Sequence, residues 1–288
     1  MMTISAKDIQ EVRARTGAGI TDCKNALVEA NGDLDQAVEI LRKKGIAKAD
    51  KRSGRTASEG RIVNVFSPDK KAGVLLELNS ETDFVARNAD FGAAAEALAK
   101  RLLAHTALND IVRDPASDAF GLAVTDDVKG ISAKTGENVV LRRYARFTTD
   151  AALGSYVHFD GKTAALVEIA GSGSEAAQAL ASEIALHLAA GVPAVAVAVT
   201  REGVDPEIVA RERRIFEDQA KQSGKPDNIV QKMVDGRIAK FYGEVALVEQ
   251  PWVREPERTI QSLIEEHGKA AGASLTVRRF VRFKMGED

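Results

Sequence analysis

The chain is short of several things that would otherwise direct its reading. A single cysteine, Cys23, stands among 288 residues, so no disulfide framework can form within the chain and no thiolate metal site can be assembled. Cys23 sits between Ile20 and Leu27 on the apolar side of a candidate helix, where it reads as a small buried hydrophobe. No apolar run approaches the roughly 18 residues of a membrane span, and the opening MMTISAKDIQ has neither the basic region nor the apolar stretch of a secretory signal. A reducing cytosolic setting is expected. Excess charge of either sign is missing too: 40 Lys and Arg face 42 Asp and Glu, which gives no general attraction to nucleic acid or to an anionic membrane. A partner must then be recognised by local surfaces.

Catalytic signatures are also lacking. The four histidines, His105, His158, His187 and His267, are widely spaced and make no HExxH pair. There is no GxxxxGK[ST] loop for a nucleotide phosphate and no GxSxG nucleophile turn. The reading is of a protein that is not an enzyme and carries no cofactor or metal.

What is present is a clear order of elements. Ser5 and Asp8 form a capping-box pattern before Ile9 and Val12, and a TGAG turn follows at Thr16–Gly19. Thr21 opens a second helix with Cys23, Ala26, Leu27 and Ala30 on one face, closed by Asn31 and Gly32. Asp33 opens a third, carrying Ala37, Ile40 and Leu41 to Gly45. Residues 1–46 therefore read as a three-helix module. Residues 47–58, AKADKRSGRTAS, contain no large apolar side chain and read as a solvated linker; the cluster of Lys48, Lys51, Arg52 and Arg55 leaves a phosphate-binding role open.

Strand patterns then appear at Arg61–Phe66 and Gly73–Leu78, followed by Phe91, Ala95, Leu98 and Leu102 at helical spacing, a helix near Asp126–Lys134, and a strand at Asn138–Phe147. The order recurs: Tyr156–Phe159 and Ala164–Ile169 across Asp160-Gly161, a helix at Glu175–Ala190, and a last strand whose LTVRRFVRF (Leu275–Phe283) matches VVLRRYARF (Val139–Phe147). An α+β fold is predicted, with two related subdomains at 59–150 and at 151–204 with 250–288, each an antiparallel three-stranded sheet with helices on one face. The insertion at 205–249 is a helical hairpin: Asp205 and Pro206 start one helix with Ile208 and Ile215, SGKP turns the chain, and Val234, Ile238, Phe241, Val245 and Val248 continue until Pro251. Arginines beside aromatics in the two matching strands could serve nucleic acid; the simpler expectation is a solvated outer face of the sheet.

One segment is unusual. In LNSETDFVARN (Leu78–Asn88) an apolar strand runs straight into a polar turn, and Phe84 follows Asp83 before any helical period is set. Either Thr82 or Asp83 caps the next helix while Phe84 and Phe91 both enter the core, or the turn is a protruding knuckle that offers an acid and an aromatic to a partner.

These residues resemble a known family. TGAG with DCKNAL at Thr16–Leu27, TDFVARN at Thr82–Asn88, and FYGEVALVEQPWV at Phe241–Val253 are similar to stretches of the elongation factor Ts family, in the same order, so the likeness runs from about Ile4 to Glu287. The resemblance implies a ubiquitin-associated-like N-terminal module, a duplicated core and a coiled-coil hairpin. It implies guanine-nucleotide exchange on elongation factor Tu in the cytoplasm, without covalent chemistry, direct nucleic-acid binding or membrane attachment. It also implies that Asp83 and Phe84, flanked by Thr82 and Val85, enter the partner's GTPase domain and disturb its magnesium site. Lys24 matches a further contact, and His187, in LHLAAGVP, resembles a histidine that assists at the nucleotide site. The rivals from other classes are a ubiquitin-like or nascent-chain adaptor, resting on the N-terminal module alone, an RNA-binding protein using the Arg-rich strands, and a hydrolase.

Overall fold

The computed structural model describes residues 4–222 and 226–287. Its contacts divide the chain into two units, one of residues 1–65, 74–146 and 284–288 and the other of residues 66–73 and 147–283.

The first unit begins with three helices. In α1 (Ala6–Thr16) the Ser5 side chain accepts from the Asp8 amide while the Asp8 carboxylate accepts from the Ser5 amide, both at 3.1 Å, and Gly17 ends the helix in a left-handed conformation. Asn31 and Gly32, both at positive φ, turn the chain between α2 (Ile20–Glu29) and α3 (Leu34–Asp50). Val12, Cys23, Leu27, Ala37 and Leu41 close a small core between them, with Cys23 buried as expected. The third helix does not stop at Gly45. It continues to Asp50, so residues 47–50 of the expected linker are helical, and the reason is a neighbour that sequence spacing cannot show. A Cβ on Gly45 would lie 2.9 Å from that of Ala133, Asp50 pairs with Lys129 at 2.7 Å, and Arg52 donates to the Ser132 carbonyl at 2.9 Å.

β1 (Glu59–Phe66) and β2 (Ala72–Ser80) follow, then the single turn α4 (Asp83–Ala86), α5 (Ala89–Ala104), β3 (Ile111–Val112), α6 (Ala119–Ala123), α7 (Thr125–Thr135) and β4 (Val140–Thr148). The sheet order is β1-β2-β4-β3, with β3 antiparallel to β4. The expected three-stranded sheet thus gains a fourth strand, two residues long and too short to show a period. Apolar residues of β2, including Val74, Leu76 and Leu78, pack with Phe91, Ala95, Leu98 and Leu102 of α5.

In the second unit β5 (Ala152–Val157) and β6 (Thr163–Ala170) pair antiparallel, beginning earlier than the sequence pattern indicates, and α8 (Glu175–Ala190) packs on them. The approach is close: a Cβ on Gly154 would come within 2.4 Å of the Ser182 nitrogen. α9 (Pro206–Lys221) and α10 (Asp227–Val245) lie against each other through Phe216, Ala220, Val230, Val234 and Ile238, tied by an Arg213–Asp235 ion pair at 3.0 Å. The expected turn at SGKP falls at Ser223–Lys225, outside the described residues. A two-stranded ribbon of β7 (Pro251–Trp252) and β8 (Glu255–Thr259), then α11 (Ile260–Ala271), precede β9 (Thr276–Lys284), and the sheet order is β5-β6-β9. The architecture is α+β with antiparallel sheets.

The arginine-rich strands require a correction. Arg143 and Arg146 are buried rather than displayed on a solvated face. Arg143 donates to Glu77 at 2.6 Å, and Arg146 donates to the Leu103 and Leu108 carbonyls at 3.0 and 2.6 Å. In the other sheet the buried Glu168 accepts from Arg278 and Arg279, each at 2.7 Å, and the Arg279 guanidinium lies 4.0 Å from the centre of the Phe147 ring. A guanidinium leaves water only when an acid or carbonyl awaits it, and each sheet supplies a glutamate on an inner strand. The internal repeat therefore includes Glu77 with Glu168 and Arg143 with Arg279.

Removing one member of such a pair strands the other. Glu77→Ala is expected to cost about 3–5 kcal/mol in urea unfolding, and Glu77→Leu combined with Arg143→Met to recover most of that loss. A single variant as stable as the parent would contradict this account of the sheet.

Candidate functional site

The TDF turn is rooted by one carboxylate. β2 ends at Ser80, whose hydroxyl donates to the Thr82 carbonyl at 3.0 Å. From just beyond α7, Glu137 accepts the Glu81 and Thr82 amides at 3.0 Å each and the Thr82 hydroxyl at 2.5 Å. Glu81 returns the contact by accepting the Asn138 amide at 2.6 Å. Thr82 caps α4, its hydroxyl oxygen accepting from the Val85 amide at 3.4 Å, and Asp83 pairs with Arg87 at 3.0 Å on the same turn. Three backbone and hydroxyl donors on one acid hold a segment that contributes few apolar contacts of its own.

This arrangement decides between the two readings of the phenylalanines. Phe91 is 2% exposed and belongs to the core, whereas Phe84 is 83% exposed. Val85 leans on the core and Ala86 is buried, so the inner half of α4 is the root and Phe84 projects from the outer half. The acid of Asp83 stands beside it.

The remaining expected residues lie elsewhere. Lys24 is exposed on α2, four residues from Ile20 and from Val28, each of which is 58% exposed, so the three form one apolar and basic stripe. His187, on α8 in the second unit, is 1% exposed. Its Nδ1 accepts from the Val253 amide at 3.3 Å, leaving Nε2 to donate to the Gln250 side-chain oxygen at 2.9 Å, while the Gln250 amide donates to the Ala194 and Glu244 carbonyls. Burial holds the imidazole below its ordinary pKa of 6.5, opposed by the Gln250 hydrogen bond. His187 thus joins α8 to the chain leaving α10, and the fold encloses it.

Three participants escaped sequence reasoning. Glu137 and Gln250 carry no local signal, because their partners are distant in the chain. Phe159 is 91% exposed at the tip between β5 and β6, with the His158 ring 4.4 Å from it. Its signal was visible: an aromatic against an Asp-Gly turn at a hairpin tip has no core to enter. Among the described residues no cluster of His, Cys, Asp or Glu is arranged to hold a metal ion, and no helix is long and apolar enough to cross a membrane.

Comparison with known proteins is consistent along the whole chain. Residues 81–287 match the family described as elongation factor TS. The chain is 44% identical to elongation factor Ts of Clostridium botulinum (strain Alaska E43 / Type E3) and to that of Methylococcus capsulatus (strain ATCC 33009 / NCIMB 11132 / Bath), and 39% identical to that of Halothermothrix orenii (strain H 168 / OCM 544 / DSM 9562). Each likeness covers 99% of this chain and 93% of the relative.

The geometry of the turn separates two substitutions. Phe84→Ala is expected to leave thermal stability within about 0.5 kcal/mol of the parent, the range of an exposed site. Glu137→Ala leaves three donors without their acceptor; it is expected to cost about 1–3 kcal/mol and to speed hydrogen exchange at the Glu81 and Thr82 amides. Unchanged exchange at those amides would show that Glu137 does not root the turn.

His187 gives a pH dependence of known sign. Its folded-state pKa is lowered, so the unfolded chain takes up a proton first and stability falls as pH drops below 6.5, by at most about 1.4 kcal/mol per pH unit down to the folded value. Urea midpoints at pH 7.5 and at about pH 5.5 are expected to differ less in His187→Gln than in the parent. Equal differences would remove His187 from the acid response.

Proposed function

Because the chain belongs to the elongation factor Ts family, we propose that it is a guanine-nucleotide exchange factor which binds elongation factor Tu carrying GDP, loosens the hold of that GTPase on the nucleotide and its magnesium, and so promotes exchange of GDP for GTP during translation elongation. The observation that carries this reading is the exposure of Phe84 on a turn fixed from below by Glu137. An exposed ring on a preorganised support is an interface anchor that loses little entropy on insertion.

The mechanism is linkage. A factor that binds empty elongation factor Tu more tightly than the GDP form must weaken GDP by the same ratio, and each factor of ten corresponds to about 1.4 kcal/mol of differential binding. Phe84 supplies differential contact if its pocket in the partner is open only when the nucleotide site is loosened. Asp83 brings a negative charge beside a magnesium ion that neutralises the diphosphate, and disturbing that ion removes much of what holds the nucleotide. Thr82 and Val85 set the direction of the wedge. No covalent bond is made or broken, and the protein needs no cofactor of its own. A soluble cytoplasmic life without direct nucleic-acid or membrane contact accords with this role.

The rest of the chain takes supporting parts in the same proposal. The ubiquitin-associated-like module, residues 1–46, adds affinity through the Ile20, Lys24 and Val28 stripe, and residues 47–58 join it to the core. The core subdomains, 59–150 and 151–204 with 250–288, carry the exchange step and a second exposed aromatic, Phe159. The hairpin at 205–249 is a coiled-coil docking arm. His187, enclosed and hydrogen bonded through both ring nitrogens, acts by positioning the exit of that arm through Gln250.

The test is release of a fluorescent GDP from purified elongation factor Tu. The parent chain is expected to accelerate release, and Phe84→Ala to slow that accelerated release at least tenfold while melting at the parent temperature. Asp83→Ala is expected to act in the same direction with a smaller effect. Parent-like release by a folded Phe84→Ala protein would remove this turn from the exchange step.

A further inference from the structure

We propose that the first unit holds a second binding site, a cavity that takes a nucleoside polyphosphate. The cavity, half open to solvent, measures about 730 Å³ between the three-helix module and the α5–α7 face, a volume within the range of about 300–1,000 Å³ that small-molecule sites occupy. Its chemistry is divided. Val38, Leu41, Leu98 and Ile131 supply an apolar wall of the kind a base and ribose cover, while the rim carries seven Lys and Arg side chains against three Asp.

The acids are largely spoken for. Asp22 lies 3.2 Å from Lys48 and Asp127 pairs with Arg101, while two further rim cations are held by acids outside the lining, Arg15 by Asp35 at 2.6 Å and Lys44 by Glu29 at 2.5 Å. Arg42 and Lys134 also line the cavity, and neither is engaged in an ion pair among the described residues. The TGAG turn forms another part of the wall. Lys134 lies along Gly17, whose added Cβ would be 3.4 Å from the lysine chain, and Gly19 begins α2 with no side chain to occupy the first-turn amides. Unpaired cations beside an open helix start attract a phosphate chain more strongly than they attract a neutral or cationic ligand. Lys48 and Arg52, two of the four cations of the basic cluster that the exchange reading leaves unused, fall on this wall.

The cavity is also built into the fold. Gly45 against Ala133 and Arg52 on Ser132 fix α3 to α7, so the two sides of the cavity are held together before anything enters. Its wall includes Thr135 and Gly136, immediately before the Glu137 that roots the TDF turn.

Isothermal titration calorimetry of the full chain with GTP, ATP and tripolyphosphate tests the assignment. GTP and ATP are each expected to bind one to one and more tightly than tripolyphosphate, with affinity falling as salt is raised. Arg42→Glu with Lys134→Glu is expected to weaken nucleotide binding at least tenfold, and Ala97→Trp, which fills the cavity without altering charge, to abolish it. Both variants are expected to melt as the parent does without nucleotide. Lys232→Glu with Lys269→Glu, two exposed cations of the other unit, is expected to change nothing. The proposal fails if no heat is seen, if tripolyphosphate binds as tightly as GTP, if the control pair weakens binding equally, if Ala97→Trp still binds while folded, or if a short single-stranded RNA displaces the nucleotide and binds more tightly.

Discussion

A buried carboxylate facing a guanidinium across neighbouring strands organises both sheets of this protein. Glu77 with Arg143 lies where water cannot screen it, and each of those charges is tolerable only because the other is present; Glu168 is equally buried but takes its two cations, Arg278 and Arg279, from a partly exposed face. Such pairs need not add net stability over well-packed apolar residues. They do penalise misalignment, because a strand shifted by one residue would leave an unpaired charge in the core. The acid and the arginine recur at matching positions of the two similar strand sequences, Glu77 with Glu168 and Arg143 with Arg279.

With the sheet in register, the end of β2 is fixed, and the chain can do something unusual there. A one-turn helix is too short to be stable by its own hydrogen bonds. Glu137 replaces the missing support by gathering two amides and a hydroxyl from the turn, and Val85 and Ala86 fasten its inner side. Exposure of Phe84 is then a property of a held structure rather than of a loose loop. The protein leaves an aromatic ring in water on a turn that polar contacts hold in place.

Polar tethering recurs in the second unit. His187 and Gln250 add directional hydrogen bonds to the apolar cluster, including Leu188, Leu247 and Trp252, where α8 meets the chain that leaves α10, and the neutral tautomer of the histidine follows from its neighbours: a backbone amide on one nitrogen and a carboxamide oxygen on the other. In the first unit the three-helix module is fastened to α7 by a close glycine contact, an ion pair and an arginine on a carbonyl. Both joints carry directional contacts that fix how the packed elements meet.

The elements themselves were legible in the sequence because their signals are local. The Ser5 capping box, the Phe91 to Leu102 period, the α8 limits and the matching RRYAR and RRFVR strands all depend on residues within a few positions of one another. The signature stretches likewise identified the family before any fold was known, and the family comparison agrees. Four features depended on tertiary structure: the continuation of α3 past Gly45, the added strand β3, the burial of Arg143 and Arg146, and the enclosure of His187. Each is decided by partners tens of residues away, Ala133, β4, Glu77 for Arg143, the Leu103 and Leu108 carbonyls for Arg146, or Gln250, and no periodicity encodes such a partner. The two phenylalanines show the division most plainly. Their spacing allowed both to be core residues, and only the packing of β2 and α5, with Glu137 closing the turn, sends Phe91 inward and leaves Phe84 exposed.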